Sequence, residues 1–255
     1  MNDLVSIIML SRNKGEYVVD SIESIIAQTY KNWELLFVDD SSSDGTINKV
    51  SSCKNNDKRI HLSQYVFEQG EAITRYKALK SIKGRWVAFI NCGDLWYPTK
   101  LEEQISFMET NGYSFSYTKY GIIDSKSNVK KVVLSGPERI NHRDMLKCCW
   151  PGYLTVMYDA SKIGNLTEYK FKENNDYAIW LEVCEKEDCF LLNKNLATQR
   201  TDQNLYSPFP LFKRISWRYE VFRRANDQNF FVAALMTTRS LWYGIIKKTK
   251  YVEKK

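Results

Sequence analysis

Short apolar runs alternate along the chain with polar turns and amphipathic stretches. Leu4–Met9 is apolar but for Ser6 and reads as a buried strand, with Ser11, Arg12 and Asn13 as a loop at its carboxyl end. Val18, Val19, Ile22, Ile25 and Ile26 share one helical face, which predicts a helix over about residues 16–28. Glu34–Val38 is apolar after its first residue and stops at two carboxylates, Asp39 and Asp40. A buried parallel strand presents acids in this way at the carboxyl edge of a sheet, where open α/β sheets bind ligands. Ser41–Thr46 then supplies turn residues and a helix cap. Further along, the pattern predicts a helix over 47–58, a weak strand over Arg59–Ser63, a strand over Trp86–Ile90 and a helix over Pro98–Asn111 carrying Leu101, Ile105 and Met108. A strand at Tyr113–Tyr117 and a hairpin over Tyr120–Val133, turning near Ser125–Asn128, follow.

With 255 residues, 44% of them apolar, the chain suits one large domain or two small ones. Asp3 and the charges between Arg12 and Glu16 break the opening apolar run, so no signal peptide is expected. No apolar stretch reaches the length of about 18 residues that a membrane span needs. The six cysteines form no C-x-x-C pair and two histidines complete a poor metal set, which points to reduced cytosolic thiols and no zinc site. Charge is uneven: Leu205–Lys255 holds eleven Lys/Arg and three Asp/Glu, a net +8, against −1 for the rest. The excess therefore belongs to the tail, which argues for a surface-binding end and against nucleic acid along the core.

Residues 4–46 place Val5–Asn13, then Gln28-Thr29-Tyr30 with Asn32, then Asp39-Asp40-Ser41 with Asp44 and Thr46, at fixed spacings. This run closely resembles the opening of family 2 glycosyltransferases. Later stretches continue the likeness to about residue 205: Gly84–Leu101, Trp150–Tyr158, Lys172–Glu182 and Ala197–Leu205. The resemblance implies a GT-A fold: an α/β unit with a Rossmann-like, mixed central sheet flanked by helices. It divides the chain into a domain of residues 1–205, with a nucleotide-sugar half of about 1–110 and an acceptor half of about 111–205, and a basic amphipathic helical tail over 206–255.

The same resemblance carries roles to individual residues. Ser11 holds a position that touches the nucleotide. One aspartate of the Asp39–Asp40 pair accepts from the uracil ring, and Asp40 is the expected one, with Asp39 its partner or structural. Arg75 stands where a helix sends an arginine toward the nucleotide, to pair with Asp40 or a phosphate. Asp176, before Tyr177, Trp180 and Leu181, occupies the place of the catalytic base, and Arg200 that of a phosphate clamp beside Asn204. Thr155 falls in a strand under the donor sugar.

The metal motif departs from the family. Its two leading acids are Asn91 and Gly93, leaving Asp94 as the carboxylate. A divalent Mn2+ or Mg2+ held by Asp94, Asn91 and phosphates, replacement of the metal by Arg75 or Arg200, and a decayed site all remain open. The expected function is an inverting glycosyltransferase moving a sugar from a nucleotide donor, UDP-linked by resemblance, to a glycan hydroxyl. The acceptor expected is a polyprenyl-diphosphate-linked intermediate of O-antigen or capsule type. The protein is then cytoplasmic and peripheral on the inner membrane, the two tail helices lying on anionic lipid or packed back on the domain with their cations solvated. The alternative is a catalytically degenerate homologue that binds nucleotide sugars or glycans.

Overall fold

The computed structural model describes residues 3–167, 171, 175–201 and 210–254; the expected boundary at 205–206 and Asn204 lie outside them. In chain order the nucleotide half runs β1 (Val5–Ser11), α1 (Val18–Ile26), β2 (Trp33–Asp40), α2 (Thr46–Asn56), β3 (Ile60–Tyr65), α3 (Glu71–Lys80), β4 (Trp86–Asn91), β5 (Leu95–Trp96) and α4 (Lys100–Asn111). Then come β6 (Phe115–Ile123), β7 (Val129–Leu134), β8 (Arg139–Ile140), α5 (His142–Met145), β9 (Met157–Asp159), α6 (Ala160–Ile163), α7 (Asn175–Lys186) and β10 (Cys189–Arg200). The chain closes with α8 (Leu211–Arg224), α9 (Phe230–Lys250) and β11 (Val252–Lys254).

One mixed sheet runs β11-β7-β6-β9-β4-β1-β2-β3, with β10 alongside β6 and pairing also with β5 and β8. β4, β1, β2 and β3 are mutually parallel, while β9 runs antiparallel to both β4 and β6. From β1 the chain winds outward to β2 and β3, then crosses back to β4 on the other side of β1. Such a reversal leaves a crevice at the carboxyl ends of the strands, the place where open α/β sheets bind ligands.

The central strands are buried on both faces, which is why they read as continuous apolar runs. Two polar residues early in these strands find each other: Ser6 Oγ donates to Glu34 Oε1 at 2.6 Å and accepts the Gly84 N–H at 2.9 Å. A Cβ at Gly84 would lie 2.4 Å from the Leu4 carbonyl oxygen, so glycine is required where this backbone passes. The expected β6–β7 hairpin forms, turning through Asp124–Asn128.

One expectation is corrected, and two features of the fold go beyond the sequence pattern. Thr155 lies in a 3-10 turn, Tyr153–Thr155, rather than a strand, because its hydroxyl donates to the Gly152 carbonyl at 2.6 Å and caps that turn. The twelve-residue β10 is an element the sequence pattern did not announce. The tail is no appendage: Val221, Phe222 and Ala233 join the main core, and β11 adds a strand beside β7. Leu211, Ile215, Tyr219 and Phe222 share one side of α8 by helical spacing; Phe222 is buried, whereas Leu211 at the start of that side is exposed.

Candidate active site

A cleft of about 1170 Å³ opens at the carboxyl ends of β1, β2 and β4. Ser11, Asp40, Asn91, Asp94 and Arg200 line it together, as do Lys14, Gly70, Glu71 and Glu220. Strand register explains the grouping, since Leu10 is level with Asn91 and Ser11 with Asp39.

The paired aspartates do different things. Asp39 is fully buried, and its oxygens accept from the Ser42 amide at 2.8 Å and the Ser42 hydroxyl at 2.5 Å. Asp40 reaches across to the β3–α3 loop, accepting the Gln69 N–H at 2.7 Å and the Gly70 N–H at 2.9 Å. Gly70 holds φ at +88°, a conformation that glycine adopts without strain. Asp44 joins the next loop to the first, accepting from Gly15 at 2.9 Å and from the Thr46 amide at 3.1 Å. These bonds hold its carboxyl below the usual pKa, the Thr46 hydroxyl first among them. Three aspartates thus fix the loops that wall the cleft.

Ser11 Oγ is buried without a hydrogen-bond partner, and so is Asp94 Oδ2. Buried polar atoms are rarely left so, and both residues line the cleft, which makes them candidate ligand contacts. The other Asp94 oxygen accepts the Arg200 N–H at 3.0 Å. Burial pushes the Asp94 pKa up to about 7, against the pull of that N–H, the Asn91 side chain and the Arg200 charge. Cys92, between them, is no nucleophile at neutral pH, because burial lifts its thiol to about 12.

Gly93 and Arg200 form one arrangement. Gly93 holds φ at +106°, and a Cβ there would lie 3.8 Å from the Arg200 Cβ and Cδ. Arg200 Nε donates to the Gly93 carbonyl at 2.9 Å, and Nη1 to the Asp124 and Ser125 carbonyls at 3.2 and 3.1 Å and to Ser127 Oγ at 2.9 Å. Its guanidinium therefore buckles β10 to the β6–β7 turn. Among the described residues no group of three His, Cys, Asp or Glu is placed to hold a metal. The unpartnered Asp94 Oδ2 and the neighbouring Asn91 amide suit a hard cation that takes its remaining ligands from phosphate and water.

Arg75 does not pair with Asp40, whose oxygens are occupied by backbone amides. It is buried in α3, ion-paired with Glu71, and its Nε donates to Tyr153 Oη at 3.3 Å. Burial opposes its charge, but Tyr153, Glu71 and Asp176 outweigh that and raise its pKa. Asp176 stands in the first turn of α7, held by Trp180, which lies 5.2 Å from Phe89 edge-on, and by Tyr177 Oη, which donates to the Met145 carbonyl at 2.9 Å. Burial raises the Asp176 pKa and the Arg75 charge pulls it back. Asp176 is thus linked to the cleft through Arg75 and Glu71 rather than lining it. The sequence reading missed Tyr153 and Glu220, which no local pattern marks, and gave Asp44 only a capping role.

A parallel sheet with a switch-point cleft, closed by an antiparallel extension, defines the class: a GT-A glycosyltransferase fold. The structure matches that of S. aureus TarS in complex with UDP-GlcNAc (TM-score 0.70, 17% identity, 93% of this chain and 71% of that one). It also matches the mannosyltransferase PcManGT from Pyrobaculum calidifontis in complex with GDP-Man and Mn2+ (TM-score 0.62, 13% identity, 95% and 75%). The chain belongs to glycosyl transferase family 2, whose sequence model matches residues 6–161. It is 41% identical over 190 residues to the Escherichia coli UDP-Glc:alpha-D-GlcNAc-diphosphoundecaprenol beta-1,3-glucosyltransferase WfgD, covering 74% of this chain and 73% of that one.

Proposed function

We propose that the protein is an inverting glycosyltransferase that moves glucose or a related hexose from a UDP-sugar to a hydroxyl of a polyprenyl-diphosphate-linked glycan. It works on the cytoplasmic face of the membrane that holds this acceptor. The reading is carried by the two unpartnered polar atoms, Ser11 Oγ and Asp94 Oδ2, in a cleft whose loops are already fixed. The likeness to WfgD supplies the donor and the acceptor class.

In this reading the uridine lies between the β1 and β2 ends, near Ser11 and Asp40, and the diphosphate lies toward Asn91 and Asp94. A divalent cation, held there by Asp94 and Asn91 with the phosphates, would neutralise charge on the departing diphosphate. Asp176, set behind Glu71 and Arg75, takes up the proton of the acceptor hydroxyl through one bridging water as the acceptor oxygen bonds to the anomeric carbon. The bond to the UDP oxygen breaks on the opposite face, so the configuration inverts and UDP leaves with the electron pair. Most of the rate then comes from positioning and charge stabilisation.

Calorimetric titration with UDP-glucose, UDP-GlcNAc and GDP-mannose, in manganese and again in EDTA, tests the donor assignment. Binding of a UDP-sugar, weakened at least tenfold by EDTA, is expected. Equal affinity in EDTA would remove the cation from the scheme. Preference for GDP-mannose, or no binding at all, would overturn the donor assignment.

A further inference from the structure

The helix α9 is built with its large apolar side chains facing outward. Phe231, Leu235, Trp242 and Ile245, spaced three, four or seven apart, are 81, 70, 64 and 56% exposed. The opposite side, turned to the core, carries Ala233, Thr237 and Ser240. A helix that packs only on its own domain shows the reverse pattern. Phe212, at the start of α8, is also 67% exposed.

The two helices that carry this stripe are rich in cations. Residues 211–250 hold nine Lys/Arg and two Asp/Glu, a net +7, while the rest of the chain holds 28 of each. The two helices are fixed in place: Arg218 Nη1 donates to the Ser240 carbonyl at 3.1 Å and to its hydroxyl at 2.9 Å, and Lys247 Nζ donates to the Cys149 carbonyl at 2.8 Å. The outward face is therefore a formed surface. Among the described residues no helix is long and apolar enough to cross a membrane. A second copy of the chain would bring +7 against +7, whereas an anionic bilayer offers apolar depth and opposite charge together.

We infer that α9 lies flat on an anionic lipid bilayer, with Phe231, Leu235, Trp242 and Ile245 in the headgroup–acyl boundary and the flanking Arg and Lys on lipid phosphates. The inference rests on the reading that the acceptor is lipid-linked, and it gives that acceptor a route. Glu220, on α8, lines the donor cleft, so the helical pair that carries this face also reaches the cleft in which a polyprenyl diphosphate acceptor must react.

Flotation with phosphatidylcholine vesicles, with and without phosphatidylglycerol, tests it on the full chain. The comparison is with the combined variant Phe231→Ser, Leu235→Ser, Trp242→Ser, Ile245→Ser and with the pair Arg223→Glu, Arg224→Glu. Wild type should float with anionic vesicles, and the fourfold variant should partition at least about tenfold less, since each buried apolar side chain contributes to such binding. The charge pair should weaken flotation on the anionic vesicles and lessen its dependence on phosphatidylglycerol. Undiminished flotation of the fourfold variant, equal flotation of wild type on neutral vesicles, or a wild-type dimer without vesicles that the fourfold variant abolishes would each overturn the inference. UDP-sugar binding, followed by calorimetry in wild type and the fourfold variant, should be unchanged. Its loss in wild type with flotation intact would sink the donor assignment and leave the docking face standing.

Discussion

At the scale of single residues, the site depends on which carboxylates are free. Asp39, Asp40 and Asp44 hold loops, while Asp94 keeps an unpartnered oxygen and Asp176 lies in the field of Arg75. A general base must be ionised, and removing one costs roughly 10²–10⁴ in rate. Asp176→Asn should therefore lower kcat about a thousandfold while sparing UDP-sugar binding. Arg75→Met tests the link between the two. The Arg75 charge lowers the Asp176 pKa, so without it the carboxyl stays protonated to higher pH. The acidic limb of the kcat/KM profile should move to higher pH in that variant. An unmoved limb would mean that Arg75 serves only the packing of α3 against Tyr153.

At the scale of elements, α4 carries a second buried charge with a different consequence. Lys100 is fully buried; its Nζ donates to Gln104 Oε1 at 2.8 Å and lies 4.2 Å from the centre of the Trp96 ring. Burial pushes its pKa down to about 7. At Lys100, between about pH 7 and the ordinary lysine range near 10.4, the unfolded chain therefore holds a proton that the folded one has lost, and this residue's contribution to stability rises with pH through that window. In Lys100→Met this contribution should be lost, so the gap in urea midpoint between wild type and variant should widen in favour of wild type from pH 7.5 to pH 9.5. The variant leaves Gln104 Oε1 without its donor, at about 1–3 kcal/mol. A pH slope equal to that of wild type would show that Lys100 stays charged in the folded state.

For the molecule as a whole, the surprise is the tail. Its helices carry the net charge of the chain, yet Val221, Phe222 and Ala233 complete the core and β11 covers the β7 edge. Tyr177 meets Phe222 edge-on at 6.0 Å, so α8 also supports the helix that carries Asp176. A chain ending at Thr201 uncovers this surface, at about 1.5–3 kcal/mol for each large apolar side chain lost. It should unfold well below the full chain in a thermal melt or aggregate on expression. An unchanged melting temperature would mean that the tail is an independent module.

Periodicity and turn chemistry were enough for β1, α1, β2, β4, α4 and the β6–β7 hairpin, because those elements are long, strongly patterned and buried on known faces. The motif spacings led to Ser11, Asp40 and Asp94 as residues of one cleft, since strand ends in a parallel sheet share an edge. Local sequence cannot contain a partner chosen across 45 or more residues. Tyr153 meeting Arg75, the Arg200 buckle over Gly93 and the docking of Phe222 beside Tyr177 were therefore decided only by tertiary packing. The same holds for the roles of the aspartates: the sequence determined where carboxylates would gather, and the folded loops, by supplying or withholding N–H donors, decided which of them stayed free.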